Sequence, residues 1–537
     1  MGLLVGCGGF ESTSTGTETG TETTTGSDTD PTTDTGTDPT TNTTSDTDPT
    51  TSSTSDTTPT TTPPNPCFGD PKEETTNEDC VVFVQADAPS APGEGTREKP
   101  FTSLQDGIDA AIAGNKRVFA CKSERFVESV VLTAPVEVWG GFDCTDGVWA
   151  YDPSARTELE ALPDTIAMTL QSEAGGSLIV GWYIEAPDGI SPGWSPIAVA
   201  IDEVTLQTSF WRTDLFAGNG ADGADGEPWI TVAKAGVDAP LPGQPGGATD
   251  ACAASVKGGD GAVMSCGDGI STGGNGGVGG PAPAGNGTDG VTGQPAPPAD
   301  YYGEGGKGQA ASACTNGNPG IHGITGDPGA GGISAGVMTL KGLVTGAGAA
   351  GGPGLRGQGG GGGGGAKAGQ FCGGNTGAGA SGGGGGAGGC GGKGGKPGLG
   401  GGSSIGLIMF GGPVYFQDMT ITTSLGGNGG DGSAGQLGGK GGKGAPGGAK
   451  SPTGGIDGCA GGNGGDGWPG GIGGGGRGGD SVCIGYIVDT PTYDNYDCFY
   501  GTRGDGGNSA PNLPQETEGT SGQAGLRRSY KPQPGSP

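Results

Sequence analysis

The chain has 537 residues, of which 131 are Gly and only 31% are hydrophobic, so much of it cannot contribute to an apolar core. Asp and Glu total 57 against 25 Lys and Arg, which gives a net charge of −32. A nucleic-acid backbone or an anionic membrane surface would repel this charge, and nucleic acid is therefore excluded as a partner. Solvation is the role that we assign to the charge, with the collection of cations as the alternative.

The chain begins with an aliphatic run and a small residue before a cysteine, Leu3-Leu4-Val5-Gly6-Cys7. This run resembles the lipobox of bacterial lipoproteins, and the resemblance implies that Cys7 is lipidated and anchors the protein to a membrane. No basic segment and almost no apolar segment precede it, so we expect the true start to lie upstream and treat 1–7 as a truncated signal. An accidental Gly-Cys pair is the alternative. In a double-membrane bacterium, Gly8 rather than an acidic residue after the cysteine would imply the outer membrane.

Residues 8–66 read as a disordered stalk. From Glu11 to Pro66 the chain contains only Thr, Ser, Asp, Glu, Gly, Pro and Asn, and it has nothing to bury. As a flexible coil these ~56 residues span about 40 Å, which suits a tether that lifts a domain off a membrane. Acceptance of O-linked sugar by the many Thr residues is the alternative.

Short β-rich segments follow in the stretch 67–217, at Val81–Val84, Val118–Ala120, Phe126–Leu132 and Val136–Trp139. Between the first two, Leu104, Ile108 and Ile112 recur every fourth residue, which predicts a short helix capped by Thr102 or Ser103. A strand, one amphipathic helix and then only strands is the order expected if the helix covers the open end of a parallel β-solenoid.

Several motifs in this stretch together resemble the N-terminal part of right-handed β-helix, pectin-lyase-like proteins. They are Gly95-Thr96, Lys99-Pro100-Phe101, Leu104-Gln105, Phe126-Val127-Glu128 and Trp139-Gly140-Gly141-Phe142. The resemblance covers 81–145 and implies an all-β fold, a right-handed parallel β-helix with an N-terminal capping helix. It implies a fold and not a chemistry.

A β-rich segment followed by Gly and Asn or Asp then recurs at 195–223, 403–432 and 481–506, with a poorer copy at 334–345. Repeated units that each expose an apolar face must stack, so we predict rungs at 334–345, 403–425 and 481–503. Glycine-rich insertions occupy 218–333, 346–402 and 426–480, and 504–537 is a predicted disordered tail. A short β-helix before an unrelated disordered tail is the alternative, but it does not explain why the strand pattern returns.

Inside the glycine-rich blocks a non-glycine residue appears at every third position, as in 437–449 and 461–472. A threefold extended helix places those side chains on one edge and bare backbone on the other two, so we predict packed polyglycine-II-like strands, with a flexible linker as the alternative. Runs such as Gly-Gly-Asn-Gly-Gly at 461–465 resemble the PGRS repeats of mycobacterial PE-PGRS surface proteins, although no PE domain precedes them. This resemblance implies a surface location and calcium binding.

Cysteine usage indicates an oxidising compartment. Thirteen Cys occur with one His and without any CxxC pair, which favours disulfides over zinc sites. Spacing predicts short-range pairs, and removing Cys7 leaves an even number of cysteines. The predicted pairs are Cys67–Cys80, Cys121–Cys144, Cys252–Cys266, Cys372–Cys390 and Cys483–Cys498.

Calcium is the one ligand with a candidate motif. The run 461–468 is similar to the nonapeptide of repeats-in-toxin calcium rolls, with Asp466 as an oxygen ligand and Trp468 at the large apolar position. The block from Gly426 matches as far as Asp431. Calcium rolls need tandem copies, which are missing here. Asp431 and Asp466 are therefore candidate calcium ligands, and plain turns are the alternative interpretation of both motifs.

No active site is predicted. Asp202, Glu203, Arg212 and Asp214 form the only cluster on a predicted rung that resembles a polysaccharide lyase or hydrolase site, and solvated edge residues are the favoured interpretation. His322 is interpreted as a surface residue. The sequence therefore predicts a non-enzymatic, structural or adhesive lipoprotein of the cell surface or outer membrane, with an extracellular polysaccharide or protein as partner and no cofactor besides calcium. A carbohydrate-active β-helix enzyme and a calcium-binding surface protein are the alternatives.

Overall fold

The computed structural model describes residues 78–89, 91–240, 256–296, 301–340, 342–372, 374–488, 490–509, 518, 520, 522 and 524–532. The predicted lipidation at Cys7, the stalk 8–66 and the cysteines Cys67 and Cys252 lie outside these residues. Within the described ranges, no helix has the length and apolar character needed to cross a bilayer.

The regular elements of the described chain are almost all β-strands, with one α-helix, α1 (Leu104–Gly114), and three single 3₁₀ turns, Glu78–Cys80, Thr145–Gly147 and Ser172–Ala174. The strands are β1 (Val81–Val84), β2 (Arg117–Cys121), β3 (Phe126–Val127), β4 (Val130–Leu132), β5 (Glu137–Asp143), β6 (Ala150–Tyr151), β7 (Thr157–Glu160), β8 (Met168–Leu170), β9 (Leu178–Val180), β10 (Trp182–Ala186), β11 (Ile197–Glu203), β12 (Thr208–Trp211), β13 (Asp214–Ala217), β14 (Val263–Cys266), β15 (Gly269–Thr272), β16 (Val337–Thr339), β17 (Gly342–Val344), β18 (Gly369–Cys372), β19 (Asn375–Gly377), β20 (Ser404–Gly411), β21 (Val414–Thr423), β22 (Ser481–Tyr486), β23 (Thr492–Phe499), β24 (Ala524–Ser529) and β25 (Lys531–Pro532).

Helix α1 forms where the fourfold spacing predicts it. The Ser103 hydroxyl accepts the N–H of Asp106, so Ser103 is the N-cap, and Asn115 ends the helix in the left-handed region with φ 51°. Leu104 and Ile108 are fully buried in the same apolar cluster as β1 and β2. The helix therefore packs on the first strands of the fold, as the sequence predicts.

Two large parallel sheets carry the apolar core. The first has the strand order β1-β2-β5-β9-β12-β21-β13-β10-β7-β3, with β23 added beside β21 and β6 beside β5; the second has the order β24-β22-β20-β11-β8-β4. The chain passes repeatedly from one sheet to the other. One core cluster draws on both sheets, and it includes Trp182 and Phe210 from the first and Leu407 from the second.

The three strong sequence copies stack directly on one another. In the second sheet β11 pairs with β20 and β20 with β22, which places Ile197, Ile405 and Val482 side by side. In the first sheet β12 pairs with β21 and β21 with β23, so that Phe210 lies next to Phe416. The strands of successive copies are thus neighbours although long glycine-rich segments separate them, which confirms the predicted stacking.

Two boundary predictions are wrong. Residues 334–345 do not extend either large sheet; β16 and β17 form an antiparallel hairpin joined by β25, because the chain reverses within three residues at Gly342 (φ 128°). The tail is not wholly disordered either, because β24 pairs in parallel with β22 and satisfies the open edge of the second sheet.

The glycine-rich segments pack together into one body, which we call the glycine array: 219–239, 256–262, 273–296, 301–309, 315–332, 346–366, 379–402, 425–448, 458–479 and 501–508. Its strands bond at every third residue. The N–H groups of Gly383, Gly386, Gly389, Gly392, Gly395 and Gly398 donate to the carbonyls of Cys459, Gly462, Gly465, Trp468, Gly471 and Gly474 over 2.8 to 3.0 Å. This threefold pattern is that of packed polyglycine-II strands, as the sequence predicts.

Each residue of a triplet faces a different neighbour, and this explains the composition. At the all-glycine run 359–365, a Cβ on Gly360, Gly361 or Gly362 would lie about 2 Å from a carbonyl of three separate strands, those of Gly462, Glu304 and Asn275. Buried strands therefore keep glycine at all three positions. At the rim, as in 316–332, side chains occupy the positions that face solvent.

Candidate functional site

The two candidate calcium ligands serve as acceptors for backbone N–H groups. Oδ1 of Asp431 accepts the N–H of Asn508 at 2.6 Å. In Asp466, Oδ1 accepts the N–H of Gly441 and Oδ2 the ammonium of Lys440, both at 2.8 Å. Burial acts to raise the pKa of Asp466, but the hydrogen bonds from Lys440 and Gly441 outweigh it and hold the pKa below its ordinary value.

Asp431 belongs to a ladder of Asn and Asp side chains along one edge of the array. Each side-chain oxygen accepts the backbone N–H of the matching residue on the next strand, which pairs one polar side chain with one backbone donor per triplet. The side chains of Asn219, Asp222, Asp225, Asn428 and Asp431 accept the N–H groups of Leu425, Asn428, Asp431, Asp505 and Asn508, respectively, over 2.6 to 3.1 Å. The repeated Gly-Asn-Gly-x-Asp-Gly pattern therefore has a hydrogen-bonding role in the array.

His322 also accepts a backbone N–H, because its Nδ1 accepts the N–H of Asp466 at 2.9 Å. Trp468 is 44% exposed, unlike the large apolar residue of a calcium roll. Among the residues that the structure describes, no group of three or more His, Cys, Asp and Glu side chains is placed to hold a metal ion.

The four candidate catalytic residues do not converge. Asp214 pairs with Arg156 at 3.3 Å, while Arg212 donates to the Pro153 carbonyl at 2.9 Å and to the Tyr151 hydroxyl. Glu203 lies exposed at the end of β11, in the other sheet, where its register partner is Gly411. Asp202 accepts only the N–H of Glu203 through its side chain.

A different acidic surface lies on the outside of the first sheet, and sequence reasoning missed it. Parallel pairing aligns Glu158 with Tyr183 and Asp214 in one row, and Glu160 with Glu185 in the next. The signal was present in the alternation of 157–160 and 182–186, where every second residue points away from the core.

Charges interact closely on this acidic surface. Arg125 pairs with Glu160 and lies 3.6 Å from a Glu158 oxygen. Burial first, and then the Glu160 carboxylate, raise the pKa of Glu185 above its ordinary value. Burial and the neighbouring carboxylates raise the pKa of Tyr183 as well. The arrangement offers one carboxyl group, that of Glu185, that holds its proton more tightly than an ordinary glutamate does.

The pairing of the cysteines follows their proximity in the fold more than their separation along the chain. Cys121 pairs with Cys144 and Cys483 with Cys498, as the spacing predicts. The predicted pairs Cys252–Cys266 and Cys372–Cys390 are wrong, because Cys266 pairs with Cys390 across 124 residues. The bridge Cys314–Cys459 spans 145 residues and was not predicted.

The reason for the long bridges is that the array brings distant strands to within disulfide reach, with Cα separations of 5.3 and 5.9 Å. Cys80 and Cys372 are also disulfide-bonded. Cys67 and Cys252 lie outside the described residues.

Comparisons with known proteins give little. No family model matches the chain, and no curated protein matches it. Among solved structures, the chain is similar to the pectin methylesterase from Aspergillus niger, with 11% identity and a TM-score of 0.17 over 29% of this chain and 63% of that chain. A similarity at this TM-score does not establish a shared fold or activity.

Proposed function

We propose that this protein is a non-enzymatic surface lipoprotein with a structural or adhesive role, in which a right-handed parallel β-helix carries the glycine array as a stiff exposed body. The observation that carries the proposal is the three-residue hydrogen-bond pattern of the array. Such a body offers a large, fixed surface without an apolar core of its own.

The β-helix part of the proposal rests on pairing and chain path. Strands of the first and second sheets alternate along the chain, and their partners in successive copies are parallel and in register. We assign the right-handed form because parallel crossovers in one sheet are right-handed in nearly all proteins.

The junction between sheet and array supports stiffness. At two returns of the chain to the second sheet, into β20 and β22, the residue before the strand donates its backbone N–H to a serine of the preceding copy. The N–H of Ser403 donates to the Ser195 hydroxyl at 2.8 Å, and the N–H of Asp480 donates to the Ser403 hydroxyl at 2.9 Å. These buried bonds tie the ends of two glycine segments to serines that lie just before β11 and β20, so the array cannot swing freely on flexible hinges there.

The location is tested by metabolic labelling. Cells that express the gene with its natural upstream sequence are fed a labelled fatty acid, and Cys7→Ser is the matched control. We expect label on the wild type alone, together with protease cleavage of the stalk on intact cells. An unlabelled wild-type protein, or one that intact cells shield from protease, would contradict the proposal.

A carbohydrate-active enzyme is the second candidate, and the carboxyl of Glu185 beside Glu160 and Arg125 is the observation that favours it. Purified protein is assayed on acidic polysaccharides, with Glu185→Gln and Asp214→Asn as variants and the exposed Glu203→Gln as control. Turnover by the wild type that either site variant abolishes would replace the structural proposal with an enzymatic one.

A further inference from the structure

A groove of about 650 Å³ crosses the glycine array beside the hairpin β14–β15. Residues 232–234 form one wall and residues 265–268 the other, while Gly354, Gly391 and Gly392 lie on the floor. The Cys266–Cys390 disulfide fixes the hairpin to this floor. The groove is therefore framed by strands that cannot separate easily.

The groove lies where one strand of the array is missing beside strand 379–402. Along the strand 379–402, every third residue faces this position. Gly385 bonds backbone groups of the strands before and after the hairpin, donating to Gly274 and accepting from Ala262. Three residues further, the N–H of Gly388 donates at 2.8 Å to the hydroxyl of Ser271. This hydroxyl takes the place of the backbone carbonyl that a neighbouring strand would offer.

The next two triplets of strand 379–402 contain Gly391 and Gly394. Gly394 accepts the indole N–H of Trp229 at 2.9 Å, so that a side chain again stands where a strand would be. Gly391 lies between them, and among the described residues neither its N–H nor its carbonyl has a hydrogen-bond partner. The carbonyl of Gly354 is likewise unpaired within that part of the chain. Backbone groups without a partner among the described residues thus lie at the floor, where Gly391 is partly exposed and Gly354 is buried.

The groove is also basic in a strongly acidic protein. Lys234 and Lys393 line it, and neither ammonium forms an ion pair with the described residues. Lys393 lies 5.2 Å from the centre of the Trp229 ring. The one carboxylate in the lining, Asp268, is already paired with Arg356 at 3.0 Å. Two positive charges are therefore available to an occupant.

We propose that this groove binds an extended segment of an acidic, glycine-containing partner polypeptide, which takes the place of the missing strand. Its backbone would accept the N–H of Gly391 and donate to the Gly391 and Gly354 carbonyls, and its carboxylates would pair with Lys234 and Lys393. This deepens the adhesive role of the proposed function, on which it rests.

The chemistry of the floor selects a polypeptide. One N–H and two carbonyls there have no partner among the described residues, and a threefold polypeptide strand presents both kinds of group every 9 Å or so. Glycine must face the floor, since where strand 273–296 packs on strand 379–402 a Cβ falls about 2 Å from a carbonyl, as at Gly273 and Gly276. Repeats of Gly-x-Asp meet both requirements.

The test uses purified full-length protein with its disulfides intact and the synthetic peptide (Gly-Ala-Asp)₃, with free ends blocked, in isothermal titration calorimetry. Two matched peptides, (Ala-Ala-Asp)₃ and (Gly-Ala-Lys)₃, separate the need for glycine from the need for charge. The protein variant is Lys234→Glu with Lys393→Glu. Its control is Lys443→Glu with Lys450→Glu, which changes the net charge equally at exposed sites away from the groove.

We expect binding of (Gly-Ala-Asp)₃ that weakens at least tenfold with the groove variant and is unchanged with the control variant, and no binding of either matched peptide. Equal binding by all three peptides, or equal loss with both protein variants, would overturn the proposal. So would binding of an oligogalacturonate in place of the peptide, or a dimer in sedimentation that the groove variant abolishes. Failure here leaves the acyl-labelling test of the proposed function unaffected.

Discussion

The Tyr530 hydroxyl donates a hydrogen bond of 2.7 Å to Oδ2 of Asp480, and both side chains are buried where β24 meets the second sheet. Arg477 lies 2.6 Å from Oδ1 of the same carboxylate, and Arg528 lies 3.0 Å from Oδ2. One buried carboxylate therefore joins the end of the glycine array, the second sheet and the C-terminal strand.

Replacing Asp480 should destabilise the protein more than replacing its partner does. Asp480→Asn leaves two guanidinium groups without their counter-charge and is expected to cost about 3 to 5 kcal/mol of unfolding free energy. Tyr530→Phe removes one hydrogen bond and should cost about 1 to 2 kcal/mol. Urea unfolding measures both values, and equal losses would contradict the central role of Asp480.

Tyr530 should also make stability fall in alkali. Burial first, and then Asp480, raise the pKa of Tyr530 well above its ordinary value of 10.0. The unfolded chain releases this proton near pH 10 while the folded chain keeps it, so this contribution is complete below pH 10 and is lost as pH rises above it. Tyr530→Phe should flatten the alkaline decline in melting temperature. An unchanged slope would show that other groups cause it.

Alanine at buried array glycines should loosen the array. A Cβ on Gly464 would lie 2.1 Å from the Ala387 carbonyl oxygen, and one on Gly465 would lie 2.0 Å from that of Ile321. Each substitution is expected to cost about 1 to 3 kcal/mol through strand displacement. Gly267→Ala is the matched control, because nothing lies within 4 Å of its Cβ position. Thermal unfolding of the three variants tests this, and equal melting temperatures would contradict close packing.

Asp466 should contribute stability that acid removes. Its pKa in the folded protein lies below the ordinary 3.8, so the contribution is complete above about pH 4 and is lost as pH falls through the folded value. Asp466→Asn should lower stability at pH 7 and reduce the loss on acidification below pH 4. Asp457→Asn, which removes another carboxylate that accepts a backbone N–H, at Lys450, serves as the comparison for a carboxylate far from Lys440.

The sequence predicts the elements that depend on local pattern. Leu104 and Ile108 at fourfold spacing predicted the helix, and the apolar segments around Phe210 and Phe416 predicted stacked strands. The three-residue period predicted the array, because a period describes a chain conformation directly. The period does not determine which strands become neighbours. The choice of neighbours decides the Cys266–Cys390 and Cys314–Cys459 bridges, so the sequence did not predict them.

The groove and the acidic surface could not be predicted from the sequence either, because both depend on which distant segments become neighbours. Gly391 looks like every other glycine in its run, and only the position of the β14–β15 hairpin leaves its backbone without a partner among the residues that the structure describes. Glu158, Glu185 and Asp214 are far apart in the chain and meet only through parallel pairing. In contrast, the Asn and Asp of the Gly-Asn-Gly-x-Asp-Gly repeat were visible in the sequence, but their spacing pointed to a calcium motif and did not reveal that they accept backbone N–H groups.

Hydrogen exchange of the glycine amides tests the central claim most directly. The array is held by backbone hydrogen bonds at every third residue and not by an apolar core, so the amides of Gly386, Gly389 and Gly392 should resist exchange about as strongly as those of β20. Peptide-resolved mass spectrometry of the native protein measures this. Strong protection in 379–402 and 458–479 is the predicted result. Exchange there at the rate of an unstructured glycine peptide, with the sheets still protected, would contradict the packed array.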